Sequence, residues 1–250
     1  MENVKLGGRV ALVTGGSRGI GLATAQALAR AGARVALLAR KPEPLAQAAA
    51  EIGDLALAIE ADVSDPGAVR GAFERVAREL GRLDILVNNA AIGRLHKIEH
   101  ATDADILAGV GTNFLGAIYC VREAVPLMRA VGGGEIVNIS SEAVLRPFPY
   151  LSLYAATKGA LETFSSALHQ ELKPDGIRVT LLRAGATASA GFAREWDPAT
   201  AEEAFRVWKE RGLLDFSDAP MPTSVLANAV LHAVTQPPGA AIGLLDIRPV

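Results

Sequence analysis

In the segment Tyr154-Ala155-Ala156-Thr157-Lys158 a phenol and an ammonium stand four residues apart. On a helix that spacing puts both side chains on one face, about one turn from each other. An ammonium beside a phenol stabilises the phenolate. At about 4 Å and an effective dielectric near 20 the attraction is of order 4 kcal/mol. That is enough to lower a phenol from its usual pKa of about 10 by up to roughly three units. A tyrosine so placed is expected to serve as a general acid or base near neutral pH. Ser140-Ser141 closes the apolar run Ile136-Val137-Asn138-Ile139 and precedes Tyr154 by a short loop. The end of a buried strand is where ligands bind in parallel sheets, so hydroxyl, phenol and ammonium converge on one edge.

A second cluster must position a partner for this chemistry. The stretch Val13-Thr14-Gly15-Gly16-Ser17-Arg18-Gly19-Ile20-Gly21 sets four glycines in seven residues after the apolar run Val10 to Val13. Glycine costs conformational entropy, so the cluster marks backbone that turns tightly or approaches a ligand closely. With a strand before it and a helix expected from about Ile20 to Arg30, the turn presents N–H groups and a helix N-terminus suited to a pyrophosphate. Gly21 is expected to let that helix pack close to the sheet. A tight strand-to-helix turn without a ligand is the plainer alternative.

The elements that carry these residues alternate along the chain. Strands are expected at Arg9 to Thr14, Ala33 to Ala39, Leu55 to Glu60, Asp84 to Val87, Glu135 to Ser140, Ile177 to Leu182 and Ala241 to Ile247. Their continuous apolar character implies burial on both faces, hence a parallel sheet covered by helices. Asp65-Pro66 reads as a cap and first helical residue, with Val69, Phe73, Val76 and Leu80 recurring before Gly81. Leu161, Phe164, Leu168 and Leu172 repeat the pattern, stopped at Lys173-Pro174-Asp175-Gly176. The reading is one α/β domain over residues 1–250, Rossmann-like and doubly wound, with a seven-stranded parallel sheet and helices on both faces. The segment from about 190 to 222 holds Phe192, Trp196, Phe205, Trp208, Phe216 and Met221 and reads as an inserted lid over a ligand crevice.

Composition narrows the function. With 25 basic and 27 acidic side chains the net charge is −2, and no basic run or stripe appears, which excludes the footprint of a nucleic-acid binder. Cys120 is the single cysteine, so an internal disulfide is excluded and a packing role in the core is expected. No apolar stretch is expected to reach the roughly 18 residues of a membrane span, and the first residues do not form a signal segment. A cytoplasmic protein is expected, and no residue is assigned to a metal.

Taken together the motifs resemble the short-chain dehydrogenase/reductase family, from about Lys5 to Val234. The family's Thr-Gly-x-x-x-Gly-x-Gly is matched by Thr14, Gly15, Gly19 and Gly21, and its Asn-Asn-Ala-Gly by Asn88-Asn89-Ala90-Ala91. Its catalytic asparagine falls on Asn113, its serine on Ser141, and its Tyr-x-x-x-Lys on Tyr154 and Lys158. A separation of thirteen residues from the tyrosine selects Ser141 over Ser140. The resemblance implies an oxidoreductase, a carbonyl reductase or alcohol dehydrogenase, that interconverts a carbonyl compound and an alcohol by hydride transfer. Ser141 is then expected to hold the carbonyl oxygen, Tyr154 to exchange its proton, Lys158 to lower the tyrosine pKa and bond the ribose, and Asn113 to hold a relay water. Gly15, Ser17, Arg18, Gly19, Ile20, Gly21, Arg40, Asp62, Val63, Asn89, Ala90, Gly185 and Thr187, with Tyr154 and Lys158, are the expected cofactor contacts, Asp62 at the adenine.

An acid at the end of the second strand commonly receives the ribose 2′-hydroxyl of NAD. Here the strand ends in Ala39-Arg40, and Arg40 with Arg18 suits a 2′-phosphate, so NADP(H) is the expected cofactor. Three features depart from the family pattern. Ala91 replaces a glycine, Arg183-Ala184-Gly185-Ala186-Thr187-Ala188-Ser189 lacks the usual Pro-Gly, and the C-terminus lacks Asp-Gly-Gly. Either Thr187 or Ser189 is left to meet the carboxamide. Glu142, Arg94, Phe148, Leu151, Phe192 and Trp196 are expected to line the pocket of a small-molecule substrate. The resemblance also implies a homo-oligomer, a tetramer or dimer, built on the helix of Tyr154 and the one before it. An epimerase or dehydratase of the same superfamily, and a catalytically silent cofactor-binding regulator, are the alternatives.

Overall fold

The structure, a computed structural model, describes residues 6–188, 191–214 and 219–250. Ser189 and Phe216, like Lys5, lie outside the described residues. Seven parallel strands form one sheet in the order β3-β2-β1-β4-β5-β6-β7. These are β1 (Val10–Thr14), β2 (Arg34–Ala39), β3 (Ala56–Glu60), β4 (Ile85–Asn88), β5 (Gly134–Ser141), β6 (Ile177–Ala184) and β7 (Leu244–Ile247). The helices between them are α1 (Gly19–Arg30), α2 (Pro42–Ile52), α3 (Pro66–Leu80), α4 (Asp103–Val110), α5 (Gly116–Ala130), α6 (Ser152–Leu172), α7 (Pro198–Glu210) and α8 (Thr223–Val234).

Every residue of β1 is buried, as the absence of polar alternation requires. One face of the sheet carries Val69, Phe73 and Val76 of α3, Cys120 and Met128 of α5, and Leu168 of α6. The other carries Leu28 of α1, Leu45 of α2, and Leu226 and Val230 of α8. Cys120 is fully buried, and burial pushes its thiol up to about 12, so it is a packing residue and not a nucleophile. Asp65 caps α3 as read from the sequence, accepting from the N–H groups of Gly67 and Ala68 at 2.7 and 3.1 Å. Between β1 and β4 the chain reverses its direction of travel through the sheet, which opens a crevice at the carboxyl ends of the strands.

Two boundaries differ usefully from the sequence reading. β5 and β6 run on in register as far as Ser141 opposite Ala184, so the strand itself delivers Ser141 to the crevice. Helices α4 and α5 are joined by a π-helical turn, Gly111–Leu115, into one continuous helix over Asp103–Ala130. By length and composition that helix is apolar enough to cross a membrane, which corrects the expectation that no apolar stretch reaches that length. The sequence hid it because Asn113 and several glycines interrupt the apolar run. The buried face of α5 packs onto the sheet as a core helix does.

Candidate active site

At the cofactor edge the glycine turn is shaped by two left-handed residues, Gly15 (φ 65°) and Gly19 (φ 56°), which a side chain would strain. The N–H of Gly15 donates to the Leu38 carbonyl at 2.8 Å, hanging the turn from β2. A Cβ on Gly21 would run into the Gly15 carbonyl and the Asn89 amide. Its close approach is therefore to the turn after β1 and to the residue that follows β4, which seats the start of α1 against the carboxyl edge of the sheet. Thr14 Oγ1 accepts from the N–H groups of Asn89 and Ala90 at 2.9 and 3.0 Å, and Asn89 Nδ2 donates to the Thr14 carbonyl at 2.9 Å. Arg18 is the N-cap residue of α1, with no side-chain cap and no acid in the first turn. The leading N–H groups of α1 are thus left for an anion, and Gly15, Ser17, Arg18 and Ile20 line the adjoining cavity of about 370 Å³. This edge fits a dinucleotide pyrophosphate.

Further along the same cavity stand Arg40, Lys41, Val63 and Ala90. Arg40 lies 3.6 Å from the Asp62 carboxylate, both about half exposed. Asp62 does not line the cavity. It accepts from Ser64 N–H at 2.9 Å and Ser64 hydroxyl at 2.7 Å. Burial pushes its carboxyl up, but these bonds and the Arg40 charge outweigh that and hold it below its usual value. Lys41 adds a cation that sequence reasoning passed over, although it adjoins Arg40. Arg18 packs its methylenes beside Gly191, where a Cβ would sit 3.2 Å from Cδ. Gly185 donates its N–H to Ile247 at 2.8 Å, and Thr187 Oγ1 donates to the Gly185 carbonyl at 2.8 Å while lining the cavity.

At the centre β5 and α6 bring Ser141, Tyr154 and Lys158 together. Ser141 lies beside the Tyr154 phenol, and its Oγ accepts from Ala143 N–H at 3.2 Å. Ser140 turns the other way and donates to Glu162 at 2.7 Å. Lys158 Nζ donates to the Ile139 carbonyl at 2.7 Å and stands 5.8 Å from the centre of the Tyr154 ring. Burial lowers the Lys158 ammonium to about 8. Burial likewise pushes the Tyr154 phenol up to about 12, with Ser141 opposing the shift and Glu142 adding to it. This corrects the expected lowering: apolar packing around the phenol outweighs an ammonium whose donor is already engaged by a carbonyl.

Asn113 sits in the middle of the π-helical turn, where such irregularities free side chains from the regular ladder. Its amide donates to Ile92 carbonyl at 2.8 Å and Thr157 hydroxyl at 3.1 Å and accepts from Ile92 N–H at 2.8 Å. Both donors are thereby used. Beside it a recess of about 10 Å³ is lined by Asn88, Asn113 and Lys158. Sequence reasoning missed the buried network behind this centre: Glu162, one turn beyond Lys158, receives Arg183 at 2.6 Å, and Arg183 also meets Asp246 at 3.0 Å. The spacing of Tyr154, Lys158 and Glu162 on one helical face was the available signal.

The sequence model of short chain dehydrogenases matches residues 9–200. The chain belongs to this family. Similar proteins include the bovine (Bos taurus) 3-oxoacyl-[acyl-carrier-protein] reductase, 38% identical over 177 residues that make up 71% of this chain and 75% of that one. The L-sorbose reductase of Gluconobacter frateurii, complexed with NADPH and L-sorbose, superposes with a TM-score of 0.85 at 29% identity, covering 98% of this chain and 97% of that chain. A 3-ketoacyl-(acyl-carrier-protein) reductase of Brucella melitensis, complexed with NADH, gives 0.85 at 31% identity over 97% and 98%. This short-chain dehydrogenase is accordingly an oxidoreductase that uses a nicotinamide cofactor and a small-molecule substrate.

The far end of the dehydrogenase's cavity is aromatic. Phe192 meets Tyr154 edge to face at 4.9 Å and Trp196 at 5.7 Å, and Phe148 meets Trp208 at 5.2 Å. Trp196 Nε1 donates to the Gly93 carbonyl at 2.7 Å and Trp208 Nε1 to the Pro149 carbonyl at 2.9 Å. A Cβ on Gly93 would run into the Phe192 ring. Glu142, Arg94, Phe148, Leu151, Phe192 and Trp196 all line the cavity, joined by Trp208 and Glu195. Arg94 is ion-paired with Asp105 and lies 3.8 Å from Glu195.

Proposed function

We propose that the protein is an NADP(H)-dependent carbonyl reductase that reduces a ketone or aldehyde to an alcohol, with Tyr154 as general acid. The observation that carries this reading is the triad of Ser141, Tyr154 and Lys158 on one cavity with the uncapped N-terminus of α1. When bound, the nicotinamide supplies the hydride. The chain supplies placement and the proton. Ser141 and Tyr154 together hold the carbonyl oxygen, and Tyr154, with a phenol at about 12, carries its proton throughout the neutral range. That favours the reductive direction. Lys158, at about 8, is cationic below that pH and stabilises the phenolate left after proton transfer. The polar recess between Asn113 and Lys158 is at the lower limit of the volume that holds one water, which supports a relay through that point.

The preference for NADP(H) rests on Arg40, Lys41 and Arg18 lining the cavity and on Ala39 where an acid would repel a phosphate. The strap that carries Phe192 and Trp196, with α7 behind it, acts as the lid. Assembly as a homotetramer through α5 and α6 completes the proposal and is read by the mass of the purified protein in solution. The deciding experiment follows NADPH oxidation with a panel of aldehydes, ketones, 3-oxoesters and quinones, with Tyr154→Phe beside the wild type. Turnover that falls by about a thousandfold in the variant, with NADPH binding retained, is expected. Equal turnover in the two proteins overturns the assignment.

A further inference from the structure

Behind the reacting groups lies a polar row to which the reaction above gives no part. Ser140 stands opposite Arg183 across β5 and β6, and Arg183 opposite Asp246 across β6 and β7. This row comes one residue before Ser141, Ala184 and Ile247, where the ladder ends. Glu162 of α6 lies over it: Oε1 accepts from the Ser140 hydroxyl at 2.7 Å and from Arg183 Nε at 3.0 Å, and Oε2 from Arg183 Nη2 at 2.6 Å. Arg183 Nη1 donates to Asp246 at 3.0 Å, and Arg248 closes the far end on the same carboxylate. Taking such charges out of water is costly, and apolar side chains of similar volume would stabilise the fold as well. What they would not supply is a fixed distance and direction, as a guanidinium forked onto a carboxylate does. The part so fixed is the end of β5. Each of the three residues before Ser141 is tied to α6: Asn138 Nδ2 donates to Ser165 Oγ at 2.8 Å, the Ile139 carbonyl accepts from Lys158 Nζ at 2.7 Å, and Ser140 donates to Glu162. Successive side chains leave a strand on opposite faces, so holding Ser140 against α6 sets the direction in which Ser141 leaves β5.

We propose that Glu162 is a positioning residue for carbonyl reduction, acting through Ser140 on the aim of the Ser141 hydroxyl. The inference rests on the carbonyl reductase reading above. Glu162 does not line the cavity, so its effect on the reaction passes through β5. Arg183 holds both of its oxygens, and the carboxylate therefore cannot swing away from Ser140. Tyr154, Lys158 and Glu162 follow one another at four-residue steps along one face of α6. A clamp at the Glu162 end of that face thus sets how Ser141 meets the Tyr154 phenol at the other end, and how well the two together hold a carbonyl oxygen. A displacement of about 1 Å between such groups lowers a rate by about a hundredfold.

Ser140→Ala removes the link without unpairing a charge, since it deletes one hydroxyl and leaves Glu162 with Arg183. With saturating NADPH and a carbonyl that the wild type reduces, kcat is expected to fall about tenfold in Ser140→Ala and about 30-fold in Glu162→Gln, with KM for NADPH unchanged within about twofold. Ser140→Thr keeps the hydroxyl and is expected to hold kcat within about threefold of the wild type. A merely structural role lowers the urea midpoint and leaves kcat of the folded enzyme unchanged, and that result overturns the proposal. In a Ser141→Ala background there is no hydroxyl left to aim, so Ser140→Ala is expected to lower kcat by no more than about twofold further. A full tenfold loss in that background also overturns the proposal. Should Glu162→Gln fail to fold, the Ser140 variants decide. A wild type that reduces no carbonyl sinks the carbonyl reductase reading and this inference with it, whereas turnover that Ser140→Ala leaves intact sinks this inference alone.

Discussion

The two ends of the cavity are built of different materials. The cofactor end is made of main chain: left-handed Gly15 and Gly19, the first N–H groups of α1, and a Gly21 that no larger residue can replace without meeting the Gly15 carbonyl. The substrate end is made of side chains, with two indoles and two phenyl rings pinned by single hydrogen bonds and by ring contacts. Backbone recognition depends on the path of the strand and helix, so it comes with the fold. Side-chain recognition depends on each residue's identity, so it can be changed one position at a time while the fold stands.

The sharpest way to break this contrast is Gly21→Ala. Its added carbon meets the turn and Asn89, and a cost near the upper end for overpacking is expected to weaken NADPH binding by about 100-fold. Calorimetric titration of the folded variant checks it, and unchanged affinity would show that the turn is not a rigid cradle. Gly93→Val makes the complementary change, forcing the Phe192 ring and Trp196 from their seats. The expected result is a rise in KM for the carbonyl of about 30-fold with NADPH affinity unaltered. A matching loss at both ends would mean that the two are one mechanical unit. Arg40→Asp probes one of the cationic side chains that join the main chain at the cofactor end, and is expected to lower the ratio of NADPH to NADH affinity by about tenfold. The effect is modest because Arg40 is half exposed and shares its charge with Asp62.

How much of this was legible in the sequence follows the same division. The glycine turn, the capping Asp65 and the Tyr154 to Lys158 spacing are local patterns, and the structure places them where local reasoning put them. The strand ends were blurred at β5 and β6, because Ser141 and Ala184 extend a ladder whose partner lies far away in the chain. What spacing could not reveal was long-range pairing: Arg40 with Asp62, Arg183 with Glu162 and Asp246, and Lys158 with the Ile139 carbonyl. The direction of the Tyr154 shift was missed for the same reason, since burial is a property of everything folded around a residue.

The smallest expected effect concerns the buried ammonium between the two ends. Lys158 has a folded pKa of about 8, below its ordinary 10.5. Between those pH values the unfolded chain holds a proton that the folded protein has released, so stability should rise with pH across that window. From pH 7.5 to 9.5 the gain is expected to be roughly 1 to 2 kcal/mol, and Lys158→Met should remove it. Above pH 10 the raised Tyr154 phenol acts in the opposite sense, and stability falls as pH climbs toward 12. Urea unfolding at stepped pH reads both, and a flat profile across the first window would place Lys158 in water.

The π-helical turn at Gly111–Leu115 acts as a phase shifter within the helix over Asp103–Ala130. One extra residue in that turn sets the azimuth of everything before it relative to everything after it, by about the 100° that one residue contributes to an α-helix. Deleting a single residue there would rotate α4 against α5, so that the chain could keep Cys120 and Met128 in the core or Asn113 at Ile92, but not both. The spacing between Asn113 and Cys120 is thus fixed by a count of residues that no neighbouring loop can absorb.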